Sequence, residues 1–120
     1  MVDQAFSLAL ENFKIRKKYF ENWLEYAKKM KEKAKKVLKD ENLKVFVFGS
    51  VVEGDFSIGL SDIDVAVVSE KAPLGKERGY ILLKLEEGFE LAHPFEIHLV
   101  TPEIWENWYL RFVKKFVEIE

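Results

Sequence analysis

Nearly a third of the chain reads as helix before the first strand begins. Over residues 3–39 the apolar side chains Phe6, Leu10, Phe13, Phe20, Trp23, Leu24, Ala27, Met30, Ala34, Val37 and Leu38 recur at three- and four-residue steps. That is the spacing of one helix face. A single straight helix of this length would run ~55 Å. A compact chain of 120 residues has an expected radius of gyration of only ~14 Å. The helix is therefore expected to break near Ile15–Lys18, or to project its first part beyond the body. Asp40-Glu41-Asn42 ends it, and residues 43–120 must build and cover whatever sheet exists.

Three short runs in that remainder predict strands. Leu43–Phe48 is β-branched and aromatic. Ile63–Val68 ends in the unbroken apolar stretch Val65–Val68, which implies burial on both faces. Phe95–Val100 alternates, with Glu96 and His98 on one side and Phe95, Ile97 and Leu99 on the other. It is expected to be an interior strand. Gly49–Leu60 reads as loop and turn, with glycines at 49, 54 and 59. Lys76–Phe89 reads as helix. Thr101-Pro102-Glu103 is a helix start, with a hydroxyl N-cap, proline at the first position and an acid in the first turn. The helix it opens carries Ile104, Trp105, Trp108, Phe112 and Val113. The order α(α)–β–β–α–β–α predicts an α+β fold: a small mixed β-sheet flanked by helices, with a long N-terminal helical segment. The length allows one domain over 1–120, with the sheet-bearing part at about 43–112.

Composition narrows the chemistry. With no Cys in the chain, disulfides, thiolate nucleophiles and thiolate metal sites are excluded. His93 and His98 are the only histidines, too few for a histidine-rich metal centre. No apolar run approaches the ~18 residues of a membrane span, and no cleavable leader pattern is present, so a cytoplasmic location is expected. The net charge of −2 hides an asymmetry, because Lys28–Lys39 holds seven Lys and one Glu. Such a run reads as a solvated helix face, or as a surface for nucleic acid or a partner.

The informative segment is Val47–Val68. Asp62 and Asp64 stand two apart at the start of a strand, so their side chains share a face. Unpaired, the two carboxylates would repel each other, and a bound cation relieves this. Hard oxygen ligands without cysteine favour Mg²⁺ or Mn²⁺ over zinc. A turn cap at Asp62 and an exposed strand edge at Asp64 would also account for the pair. Gly49-Ser50 follows a hydrophobic strand directly, where glycine lets a ligand approach and backbone N–H groups with the Ser50 hydroxyl can cradle phosphate. Glu96 would supply a third carboxylate.

At these residues the chain resembles the minimal nucleotidyltransferases of the DNA polymerase β-like superfamily. The resemblance rests on Gly49-Ser50, a ten-residue spacer, Ser61-Asp62-Ile63-Asp64 and the later Glu96, and it covers about residues 20–110. It implies the palm fold and an EC 2.7.7-type transferase. Gly49, Ser50 and Ser61 would hold the nucleoside triphosphate, most simply ATP. Asp62, Asp64 and Glu96 would be the catalytic and metal-binding carboxylates, holding two Mg²⁺ ions (or Mn²⁺). Three features depart from the common pattern: the spacer is one residue longer, Glu53 stands where many relatives have Arg, and Glu96 where many have Asp. The resemblance also implies an acceptor, since such proteins often pair with an all-helical HEPN-type toxin and transfer AMP to one of its tyrosines, acting as antitoxin. Trp23, Trp105, Trp108 and Tyr109 would then serve as a docking surface. Two alternatives stay open: a non-catalytic module that blocks its partner sterically, and a free-standing transferase acting on RNA ends or a small molecule. A homo-oligomer is also open.

Overall fold

Asn22 is where the long N-terminal helix breaks. In the computed structural model, which describes residues 3–120, α1 (Gln4–Glu21) and α2 (Trp23–Leu38) flank this one residue. The break falls there and not at Ile15–Lys18. Asn22 adopts φ −126°, ψ 28°, its amide side chain donates to the Lys18 carbonyl at 2.9 Å, and its backbone N–H is shared between the carbonyls of Lys18 and Tyr19. An asparagine that bonds its own backbone in this way competes with helix propagation, whereas the Lys/Arg run before it favours helix. The first part of α1 also projects. Every residue from Asp3 to Lys14 is exposed, and the molecule reaches 53 Å along its long axis with a radius of gyration of 15.3 Å.

The sheet has four strands in the order β3-β2-β1-β4: β1 (Lys44–Phe48), β2 (Ile63–Val68), β3 (Phe95–Val100) and β4 (Phe116–Glu118). β1 runs antiparallel to both neighbours, and β2 and β3 are parallel. The sheet is thus mixed and small, as expected. Two expectations fail. β3 lies at the edge of the sheet, not in its interior. The last helix, α5 (Pro102–Asn107), is short: Thr101 caps it by accepting from the Ile104 N–H, but a 3₁₀ turn at Tyr109–Arg111 follows and the chain then pairs as β4. Packing overrides the helical pattern there, because Trp105 and Val113 are both drawn into the core against β1. The Gly49–Leu60 loop contains a one-turn helix, α3 (Ser50–Glu53), and α4 spans Glu77–Glu86.

Strand alternation sorts the core into two layers. Val45, Val47, Val65, Val67 and Leu99 face α2 and α4, where they meet Ala27, Met30, Ala34 and Leu85. Phe46, Phe48, Ala66 and Val68 face the other way, onto Trp105 and Val113. Trp105 is 4% exposed and stacks on Phe46 with ring centres 4.8 Å apart and planes 5° apart. The apolar run Val65–Val68 is buried on both faces, as its composition implied. Asp64, Glu96 and His98 fall on the second face by the same alternation, where the aromatic cover ends. Trp105 is therefore a core residue and cannot belong to the expected aromatic docking surface, Trp23 packs partly against the first layer, and Trp108 alone of the three tryptophans is exposed.

Candidate metal and nucleotide site

The parallel register of β2 and β3 sets Asp64 directly beside Glu96, and Ala66 beside His98. The small alanine leaves room for the imidazole to lean back toward Asp64. One ligand atom from each of Asp64, Glu96 and His98 lies within 4.8 Å of the others. His98 Nε2 is 3.1 Å from Asp64 Oδ1, and its Nδ1 is 3.1 Å from the Tyr109 hydroxyl. The carboxylate only accepts, so in the neutral ring Nε2 carries the proton and Nδ1 accepts from the phenol. Tyr109, on the 3₁₀ turn, thereby fixes the ring that fixes Asp64.

Burial pushes the Glu96 carboxyl above the usual carboxylate range. His98 opposes this, while Asp64 and Asp62 add to it. Burial likewise raises the Tyr109 phenol; Arg78 opposes, and Glu96 and Asp64 reinforce. Crowded carboxylates of this kind are the electrostatic condition a divalent cation relieves. Both ring nitrogens of His98 are taken up by Asp64 and Tyr109. The donors offered are therefore the two carboxylates, hard oxygen ligands that suit Mg²⁺ or Mn²⁺, and the residues present fit the metal that the resemblance implies.

Gly49 ends β1 against Asp64. Its backbone sits at φ +88°, ψ −160°, a region essentially reserved for glycine. A Cβ there would stand inside van der Waals contact of Asp64 Oδ2, with Cγ at 3.4 Å. The missing side chain is thus what admits the Asp64 carboxylate. Ser50 follows as the first residue of α3, half-buried beside the same strand end.

Asp62 and Ser61 stand slightly apart. Asp62 is exposed, one residue before β2 begins, and among the described residues it is not in the close group of ligand atoms. It does share Asp64's side of the strand by alternation, and its charge is felt at Glu96. Ser61 closes a turn: its hydroxyl accepts from the Ser57 N–H at 2.8 Å and its N–H donates to the Ser57 carbonyl at 2.8 Å.

Sequence reasoning missed two contributors. Tyr109 was read as a docking aromatic. Arg16 was given no role, yet its Nε donates to the Ile58 carbonyl at 2.7 Å and its guanidinium also reaches the Ser61 carbonyl. Four residues on, Phe20 stacks on Phe56 with ring centres 5.0 Å apart. The second half of α1 therefore holds the loop that delivers Asp62. One signal was available: Arg16 is a rare Arg among lysines, 3 Arg to 16 Lys over the chain, and a planar fork suits two carbonyls at once.

Among the described residues, no helix is long and apolar enough to cross a membrane. Among curated proteins none matches the chain. A crystal structure described as a nucleotidyltransferase shares 39% identity with it, covering 78% of this chain and 96% of its own, with a TM-score of 0.62. Another, from Sulfolobus solfataricus, is 21% identical over 87% of this chain and 85% of its own, with a TM-score of 0.57, and shows the likeness of fold. The sequence profile of the nucleotidyltransferase domain matches residues 12–120, taking in every strand, the Gly49-Ser50 turn and all the acidic residues of the site. With the polymerase β-like sheet and this match over most of its length, the chain belongs to the nucleotidyltransferase domain family.

Proposed function

We propose that this nucleotidyltransferase moves AMP from ATP to an acceptor hydroxyl, and that the acceptor is a tyrosine of a HEPN-type helical toxin, making the chain its antitoxin. The observation that carries the transfer chemistry is the in-register pair Asp64–Glu96 with His98 held against Asp64. Asp62, Asp64 and Glu96 would hold two Mg²⁺ ions. When bound, these ions neutralise triphosphate charge and favour the attacking and leaving oxygens.

The chain's own groups supply the rest. Gly49, having no side chain, lets the Asp64 carboxylate sit against the end of β1, and Ser50 and Ser61 lie at the same end of the sheet. His98, steadied by Tyr109, keeps Asp64 Oδ1 in place, so that the other oxygen faces Gly49. Glu96, with its raised proton affinity, accepts the proton of the attacking hydroxyl. A bond forms from the acceptor oxygen to the α-phosphorus, the bond from the α-phosphorus to the bridging oxygen breaks, and pyrophosphate leaves.

A protein acceptor is favoured over RNA by where the basic run lies. Lys28–Lys39 sits on and just after α2, which packs on the sheet face opposite Asp64, Glu96 and His98. A nucleic acid bound along α2 would be separated from the site by the sheet.

The test is incubation of the purified chain with α-labelled ATP, Mg²⁺ and a HEPN-type partner encoded beside it. Label on the partner that is lost in Asp64→Asn and in the partner's tyrosine-to-phenylalanine variant is the expected result. A tight complex without label would select steric blocking, and label on RNA would select the terminal transferase.

A further inference from the structure

The projecting half of α1 carries an apolar stripe with no other element of its own chain packed against it among the described residues. Phe6, Leu10 and Phe13 lie on one helix face and are 59%, 45% and 43% exposed. Ala9 borders the stripe, and Leu8 points the other way. Isolated helices shorter than about 12–15 residues are marginal in water. Residues 3–14, all exposed, continue into the anchored half of α1 and so are not isolated, but their apolar side chains make no packing contact that would add to the helix's stability. The family match begins at residue 12, so Phe6 and Leu10 lie outside the shared domain.

We propose that this segment pairs antiparallel with the same segment of a second copy of the chain, around a two-fold axis at Leu10. In that register Phe6 of each copy meets Phe13 of the other. Asp3 and Lys17 lie on the same flank of the stripe, and flanks meet like-to-like in an antiparallel pair. Asp3 therefore faces Lys17 of the other copy on both sides of the axis. Its Oδ1 accepts from the Phe6 N–H at 2.8 Å, leaving Oδ2 for the lysine. A parallel pair would instead set Lys14 and Lys17 against their own copies, which is repulsive. The bodies fit as well. α1 is seated on its domain from Ile15 onward, so the antiparallel pair places the two domains at opposite ends of the paired segment.

The area indicates strength. The three stripe residues expose roughly 300 Å² per copy, against about 800 Å² per partner in a standard interface. The dimer is therefore of micromolar class and concentration-dependent.

Sedimentation velocity of the full chain across the micromolar range is expected to show a monomer–dimer equilibrium. The double variant Phe6→Ser/Phe13→Ser should raise its dissociation constant about tenfold or more, with little change in melting temperature at dilutions where the parent is itself monomeric, because both residues are then exposed. Since the chain has no cysteine, single-cysteine variants add a test that does not depend on that double variant folding. Mild oxidation should link Leu10→Cys to itself across the axis and leave Leu8→Cys unlinked. A chain that stays monomeric at every concentration, a dimer that persists in the double variant, or equal linking of the two cysteine variants would each overturn the proposal.

Discussion

Replacing Gly49 by alanine separates two physical costs that this structure superimposes on one residue. The first is backbone strain. At φ +88°, ψ −160° a residue with a Cβ loses of order 1–3 kcal/mol. The second is the displaced carboxylate. The new Cβ occupies the space of Asp64 Oδ2, so Asp64 must turn and lose its hydrogen bond from His98. Losing a bond to a charged group costs about 1.5–3 kcal/mol when buried, and at this half-exposed pair about 1 kcal/mol. The sum is about 2–4 kcal/mol. Unfolding entropy near 2.1 cal/mol/K per residue makes each kcal/mol worth ~4 °C in a chain of this size. Gly49→Ala should therefore lower the melting temperature by ~8–16 °C. In an Asp64→Ala background the obstructing oxygen is gone and only strain remains, so the same substitution should cost ~4–12 °C. Thermal melts of the four proteins close the cycle. Equal losses in both backgrounds would mean that the Gly49–Asp64 contact carries nothing, and no loss in either would mean that the backbone assignment at Gly49 is wrong. Mn²⁺ titration adds a functional arm: affinity should fall in Gly49→Ala even at temperatures where the variant is folded.

Other consequences are simpler to state. Glu96 is held above the ordinary 4.5 in the folded chain, so between 4.5 and that raised value the native state binds more protons than the unfolded one, and metal-free stability should rise as pH falls through this window; Glu96→Gln should flatten that rise in chemical denaturation while weakening Mn²⁺ binding. His93 has the opposite sign: burial lowers it below 6.5, Glu86 opposes, and its Nδ1 accepts from the Phe95 N–H at 3.1 Å. Its contribution is full above 6.5 and is lost as pH drops toward the lowered folded value, so His93→Gln should be less acid-sensitive than the parent over that range. Trp105→Ala should cost about 3–5 kcal/mol by emptying the layer between Phe46 and Tyr109; melts that show less than half of this would place Trp105 outside the core.

Local pattern was enough for the elements that local pattern controls. Ile63–Val68 and Phe95–Val100 were legible to the residue because a strand of β-branched residues, entered from a turn, has no competing helical period. The break at Asn22 was not, because helix length argues only that a break must occur, while its place is decided by one side chain bonding back to Lys18. β4 escaped for a related reason: three residues are too few to show an alternation, and Phe116 to Glu118 become a strand only because β1 offers them an open edge.

The site divides along the same line. Asp62 and Asp64 were readable as a pair and Glu96 as a third carboxylate, since period-two alternation puts each on a predictable face of its own strand, but the structure sets Asp64 beside Glu96 and leaves Asp62 outside the close group among the described residues. Which residues actually meet depends on strand order and register, and neither is local. Parallel pairing of β2 with β3 sets Asp64 beside Glu96 and, through Ala66, draws His98 inward; an antiparallel pairing would have sent Glu96 and His98 to other neighbours with the sequence unchanged. His98, on the same side of its strand as Glu96, is no rival to it for a metal. The structure gives it a different relation to Asp64, a hydrogen bond at 3.1 Å backed by Tyr109. Metal-site residues are commonly oriented by such a partner, and His98 is in turn held by Tyr109 on a 3₁₀ turn, 45 residues (109 − 64) beyond the carboxylate in sequence. No spacing rule connects residues so placed. What connects them is the aromatic layer of Phe48, Trp105 and Tyr109, which packs as core and, in doing so, carries a phenol to the edge of the site.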